Sequence, residues 1–255
     1  MHQVLGEFRD AMTIVGGSAP PLLLGEDPDD PYVGTTDVDL VLDPKAVPDD
    51  PYVHAAEALR RTGYRQDESN AFRWYRTVPD PGGDIEVEVD LLAPRLPGRK
   101  KSNHEKIGAE SLARRTVGAE LVRSLYASVK VSGQMVDGRN NTISARVASA
   151  GALLVLKAIA LGRRSKDKDA YDIDYILQHA KGGPVAVAAE LRPHATDSAV
   201  VEARGVLGEK FANMDGFGPQ TVARYRRLTS GTAEADEVQA RAFAAVQEFL
   251  RALAR

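Results

Sequence analysis

Asp37 and Asp39 stand two residues apart in a run that is otherwise apolar, Asp37–Leu42, with Val38, Leu40, Val41 and Leu42 around them. In a strand, residues two apart project from the same face, so both carboxylates would leave one side of a sheet together. Two carboxylates held that close repel. A shared proton relieves the repulsion, and so does a divalent cation that prefers hard oxygen ligands. Upstream, Gly16, Gly17 and Ser18 follow a short β-prone run, 13–15. Such a turn offers bare backbone N–H groups and a hydroxyl for phosphate. A metal beside a phosphate cradle is equipment for phosphoryl or nucleotidyl transfer.

A third acid could join them. The run 84–92 alternates, with Ile85, Val87, Val89 and Leu91 on one side and Asp84, Glu86, Glu88 and Asp90 on the other. Read plainly, this is a half-exposed strand with a charged solvent face. Read functionally, Asp90 stands beside Asp37 and Asp39 as a further metal ligand or a general base. Farther on, Lys157 lies in an apolar helix, and Asp169 and Asp172 share one face of the next. Two antiparallel helices on a short loop bring Lys157 and Asp172 face to face. The pair is either a salt bridge locking a helical hairpin or a lysine for a triphosphate with an orienting acid.

The elements that must position these groups follow from local pattern. A helix is expected over 4–12, a helical turn after Ser18 running to residue 24, and a loop over the acidic, Pro-rich stretch 26–34. A helix is expected over 54–61. Strands are expected over 71–78 and 84–92 around the turn 79–83, and over 126–131 and 141–147 around the turn 137–141. Residues 94–106 read as a basic, irregular loop containing Arg95, Arg99, Lys100, Lys101 and Lys106. Residues 109–121 carry no clear pattern. Ser149 is a good N-cap for a helix over 150–161, and a second helix follows to residue 180. The remainder is Ala-rich and helical, with breaks expected near Pro193, Gly205, 216–219 and Gly231. The fold class is therefore α+β: a mixed sheet with flanking helices over 1–147, then a helical domain over 148–255.

The bulk numbers exclude several function classes. The 255 residues suffice for one large domain or two modest ones. A net charge of −3 gives no global basic signature, so a nucleic acid could be held only by a local patch. The chain has no cysteine, which removes disulfides, thiolate catalysis and Cys-ligated zinc. The five histidines show no metal-ligand spacing. No signal-peptide core and no long apolar run is present, so no membrane span is expected and a cytoplasmic location is the default. The phosphate-loop motif G-x-x-x-x-G-K-[ST] is absent.

The order G-G-S, T-x-D-x-D-L, a helix with K-x-x-A, then R-x-K-x-K-D-x-Y-D-I resembles the nucleotidyltransferase superfamily typified by DNA polymerase β. More narrowly, it is similar to the AbiEii-type nucleotidyltransferase toxins of toxin–antitoxin systems. The likeness runs in order through the first 180 residues or so. It implies a polymerase β-like catalytic sheet and a helical domain that completes the nucleotide site. It further implies that Gly16, Gly17 and Ser18 hold nucleotide phosphates, and that Asp37 and Asp39, with Asp90 as the third acid, bind Mg2+. Lys157 and Asp172 would be the helical pair, with Asp169 as competitor for the last place. The implied reaction moves a nucleoside monophosphate from a triphosphate to an acceptor hydroxyl. The implied acceptor is RNA, such as a tRNA 3′ end, and the implied partner is a cognate antitoxin. The same residues would also serve a small-molecule nucleotidyltransferase of the antibiotic-modifying kind, or a degenerate nucleotide-binding protein.

Overall fold

A computed structural model describes residues 10–43, 51–80, 82–95, 104–107, 111–134, 138–164, 166–230 and 234–255. The helix expected over 4–12 lies outside these residues except at its end. There, Asp10 and Ala11 form a turn and Met12 already belongs to a strand. The basic residues Arg99, Lys100 and Lys101 also lie outside the described residues.

The chain forms two compact units. The first comprises Met1–Leu23 and Gly34–Ala148; the second comprises Leu24–Val33 and Ser149–Arg255. A single cut near residue 147 does not contain this arrangement, because ten residues between the first two strands belong with the helices.

The first unit is a nine-stranded mixed sheet. Its strands are β1 (Met12–Val15), β2 (Asp37–Leu42), β3 (Arg65–Gln66), β4 (Arg73–Val78), β5 (Ile85–Pro94), β6 (His104–Ile107), β7 (Ser111–Thr116), β8 (Tyr126–Gln134) and β9 (Asn140–Ala148). The order is β3-β4-β5-β2-β1-β9-β8, and β7 joins beside the end of β5 and carries β6. The β2–β5 and β1–β9 pairings are parallel; β1–β2, β4–β5 and β8–β9 are antiparallel. Two helices flank it, α1 (Ala19–Leu24) and α2 (Pro51–Arg61). Alternation along the strands sinks Met12, Ile14, Leu40, Leu42, Val89 and Leu91, and Trp74 and Leu59 complete the core. Two stretches depart from the sequence reading. The end of the stretch 94–106, expected irregular, enters β6 (His104–Ile107), and the unpatterned stretch 109–121 supplies β7. Neither strand alternates, so only pairing with a neighbour makes them strands.

The second unit is helical: α3 (Ala150–Arg163), α4 (Asp167–His179), α5 (Gly183–Leu191), α6 (Ser198–Lys210), α7 (Phe217–Ser230) and α8 (Ala235–Leu253). The Ser149 side chain caps α3 by accepting from the Ala152 N–H. Helix α3 is apolar almost all round and sits centrally, packed by α4 and α6. It runs through Gly162, where a Cβ would lie 2.7 Å from a Val206 methyl carbon; the glycine lets α6 approach. Gly205, expected to break the chain, lies inside α6, because it faces open space and costs only propensity there. Among the described residues, no helix is long and apolar enough to cross a membrane.

Candidate functional site

In the sheet unit, the parallel β2–β5 register sets Asp37 beside Glu88 and Asp39 beside Asp90. Residues in register share a face, so all four carboxylates stand on one side of the sheet. On the other flank of β2, Val15 lies opposite Asp39, and the chain leaves β1 directly into a single 3-10 turn, Gly16–Ser18. Gly16 has φ +70°, and a Cβ there would lie 2.0 Å from Asp39 Oδ2. Only a glycine lets the turn come this close to the carboxylate. Ser18 donates its hydroxyl to the Val15 carbonyl at 3.4 Å. Thus the structure brings Gly16, Gly17, Ser18, Asp37, Asp39 and Asp90 together at adjoining strand ends and faces.

Two arginines, missed in the sequence, share this face. Arg73 lies opposite Asp90 in β4 and donates to both its oxygens, through Nε at 2.9 Å and a terminal nitrogen at 3.0 Å. It also reaches Glu88 at 2.8 Å. The Asp90 hydrogen bonds push the guanidinium pKa further up. Arg114 of β7 lies 3.8 Å from both Asp39 and Asp90 and stacks over Phe72. Asp90 is 4% exposed, so the charged face expected for this strand is only partly solvated. Burial raises the Glu88 pKa, the Asp90 charge adds to it, and Arg73 offsets part of the rise. Neither arginine was legible, because both depend on register: Arg73 on the β4–β5 hairpin, Arg114 on a strand without a pattern.

The helical unit holds the other predicted pair. Lys157 of α3 lies 2.5 Å from Asp172 of α4 and 3.7 Å from Asp169. Lys157 is 7% exposed and Asp172 fully buried. Asp169, the competitor, is held on both oxygens by Arg164 at 2.8 and 3.0 Å. Around Asp172 the structure adds Lys168, one helical turn earlier at 3.0 Å, and Tyr32, whose hydroxyl donates to it at 2.7 Å. Lys168 also donates to the Tyr32 hydroxyl. Burial and the Asp172 charge keep that phenol firmly protonated. Lys168 could have been found from its i,i+4 spacing to Asp172; Tyr32 could not.

Tyr32 arrives on the Leu24–Val33 strap, which is fastened at further points. The Val33 N–H donates to the Tyr171 hydroxyl, Arg226 donates to Asp30 at 2.6 Å, and a His179 ring nitrogen lies 3.0 Å from Asp30. Arg226 also donates twice to the buried Asp174. The acidic loop is therefore a structural strap of the helical unit, its Asp30 occupied by Arg226 and His179.

The donor set suits a hard divalent ion. Magnesium commonly takes one or two carboxylates and completes its shell with water and substrate phosphate oxygens. Asp37 and Asp39 offer two carboxylates, and Gly16, lacking a side chain, lets the turn backbone approach the Asp39 carboxylate. Among the described residues, no group of three or more His, Cys, Asp or Glu side chains is placed to hold a metal ion, so Asp90 is not set with Asp37 and Asp39 as a third ligand.

No protein-family model and no curated protein matches this chain. Two solved structures from Helicobacter pylori are similar in fold, each at 12% identity over 100% of this chain. JHP933 has a TM-score of 0.48 with 90% of its own chain covered, and a candidate nucleotidyltransferase has 0.47 with 93% covered.

Proposed function

We propose that this chain is a magnesium-dependent nucleotidyltransferase that moves a nucleoside monophosphate from a triphosphate to an acceptor hydroxyl. One observation carries the reading: the Gly16 backbone abuts the Asp39 carboxylate at a spacing no other residue permits, on a face where Asp37, Glu88 and Asp90 gather. The backbone N–H groups of Gly16 and Gly17 and the Ser18 hydroxyl bind the triphosphate. Asp37 and Asp39 would hold the ion, which when bound supplies charge neutralisation at the phosphates. Asp90 completes the acidic row, its charge shared with Arg73 and Arg114. The acceptor oxygen forms a bond to the α-phosphorus, the bond to the bridging oxygen breaks, and pyrophosphate departs. A carboxylate of the row takes the hydroxyl proton.

Lys157 and Asp172 are assigned to the same reaction on the resemblance of their motif, Lys157 as a phosphate-binding cation and Asp172 as the acid that orients it. The motif order also motivates the acceptor class, an RNA end such as that of tRNA, and a role as toxin of a toxin–antitoxin pair.

The test is incubation of purified protein with magnesium, each α-phosphate-labelled triphosphate and total RNA. Label is expected on RNA with one preferred base and is expected to vanish in Asp39→Asn. Labelling that persists in Asp39→Asn sinks the scheme. Failure of triphosphates to raise the melting temperature in magnesium would count against it equally.

A further inference from the structure

The sheet face that carries the acids continues past them into the β8–β9 hairpin. Thr13 of β1 pairs with Arg146, and Arg146 lies opposite Ser128. Lys130 lies opposite Ser144, and Ser132 lies opposite Thr142, their hydroxyls hydrogen-bonded at 2.8 Å. Thr13 is two residues from Val15, the partner of Asp39, so this row shares the Asp39 face. The row consists of hydroxyls and cations, and neither strand carries a carboxylate. The alternate residues, Val129, Val131, Ile143, Ala145 and Val147, are the less exposed ones.

A cavity of about 200 Å³ opens on this row, lined by Asp10, Ser128, Ser144, Ala145 and Arg146. The Arg146 guanidinium lies 4.5 Å over the Tyr126 ring, which fixes its plane. Asp10, on a side chain that is 77% exposed, forms an ion pair with Arg146 at 3.6 Å, which an incoming phosphate would displace. A fixed guanidinium with two flanking hydroxyls is a donor set for a phosphate group. By strand spacing and rise, Arg146 stands roughly 12 Å from Asp39 along the same face.

We infer that this cavity is a subsite for a phosphate group of the acceptor, with Arg146, Ser128 and Ser144 as its donors. The inference rests on the nucleotidyl-transfer reading of the acids and adds where the acceptor is held. Its phosphate belongs either to the backbone of a single strand or to a small phosphorylated molecule.

The test measures binding of a short labelled single-stranded oligoribonucleotide by anisotropy and of glycerol phosphate by calorimetry. The full chain is compared with Arg146→Gln, Arg146→Lys, Asp10→Asn and the double variant Ser128→Ala/Ser144→Ala. Arg146→Gln is expected to weaken binding about fivefold or more, Arg146→Lys to restore part of it, and Asp10→Asn to tighten it. The serine pair, exposed on the strands, gives a second reading that leaves the charge untouched. Weakening seen only with the oligonucleotide identifies a strand; weakening seen only with glycerol phosphate identifies a small acceptor. Undiminished binding of both probes by Arg146→Gln and the serine pair, or no binding of either by the unaltered chain, overturns the subsite. Thermal stabilisation by magnesium triphosphate is read in parallel. Its retention in the variants shows fold and nucleotide site intact, and its absence in the unaltered chain counts against the nucleotidyl-transfer reading, not the cavity.

Discussion

A methyl group at Gly16 would lie 2.0 Å from Asp39 Oδ2, at a φ of +70° that L side chains rarely adopt. Gly16→Ala must therefore move the turn, the carboxylate or both. A displacement of about an ångström at reacting groups costs on the order of 100-fold in rate. We expect such a loss in Gly16→Ala, with the melting temperature changed far less than turnover; equal turnover in the variant and the parent would separate the turn from the chemistry. Arg73 calls for a different expectation. It grips both oxygens of Asp90, a residue 4% exposed, and Arg73→Met leaves that carboxylate short of its main partner. Stranding a buried charge in this way destabilises by about 3–5 kcal/mol. Urea unfolding of the variant measures it, with Arg73→Lys recovering only part because a lysine lacks the two-pronged geometry.

At the scale of elements, the α3–α4 hairpin can be asked whether its lysine and aspartate are structural. Asp172→Ala leaves Lys157 without its nearest partner in a buried setting, and a loss of about 3–5 kcal/mol is expected by equilibrium unfolding. Replacing both, as Lys157→Met/Asp172→Leu, should recover most of that stability. If the recovered protein also transfers nucleotide, the pair is a clamp; if it is stable and inactive, the pair belongs to the reaction. The hairpin itself was legible. An apolar run behind Ser149 and a Lys-to-Asp spacing that spans a short loop both report on local structure. The same holds for β2 and β5, whose alternation places Asp37, Asp39 and Asp90 before any pairing is known. Strands β6 and β7 were not legible, because their identity lies in their partners. Nor were Arg73, Arg114 and Tyr32, whose positions depend on register or on a loop reaching another element. Sequence pattern locates groups along one element; which groups meet is decided by pairing between elements.

At the scale of the molecule, the helical unit carries an acid sensitivity of its own. Burial works to raise the Asp30 pKa, but the hydrogen bonds from Arg226 and His179 overcome it and hold the carboxyl below 3.8. Asp167 is lowered likewise by Arg224. A lowered carboxyl contributes stability that is present above its unfolded value and lost as pH falls through the folded one. The helical unit should therefore weaken below about pH 4, and more gently in Asp30→Asn/Asp167→Asn. Hydrogen exchange of α4 and α7 amides against pH measures both. The strap carries a last consequence. Chain that lies between β1 and β2 in sequence is spent on the helices, so the two units are interlaced along the polypeptide like a thread passed through a second cloth and drawn back. Neither half can be excised as a contiguous gene segment. A fragment beginning at Ser149 would lack Asp30 and Tyr32, leaving Arg226 and His179 without Asp30 and uncovering Tyr171 and Tyr175. It is expected to aggregate when expressed alone. Grafting residues 24–33 onto its start through a flexible linker should restore solubility.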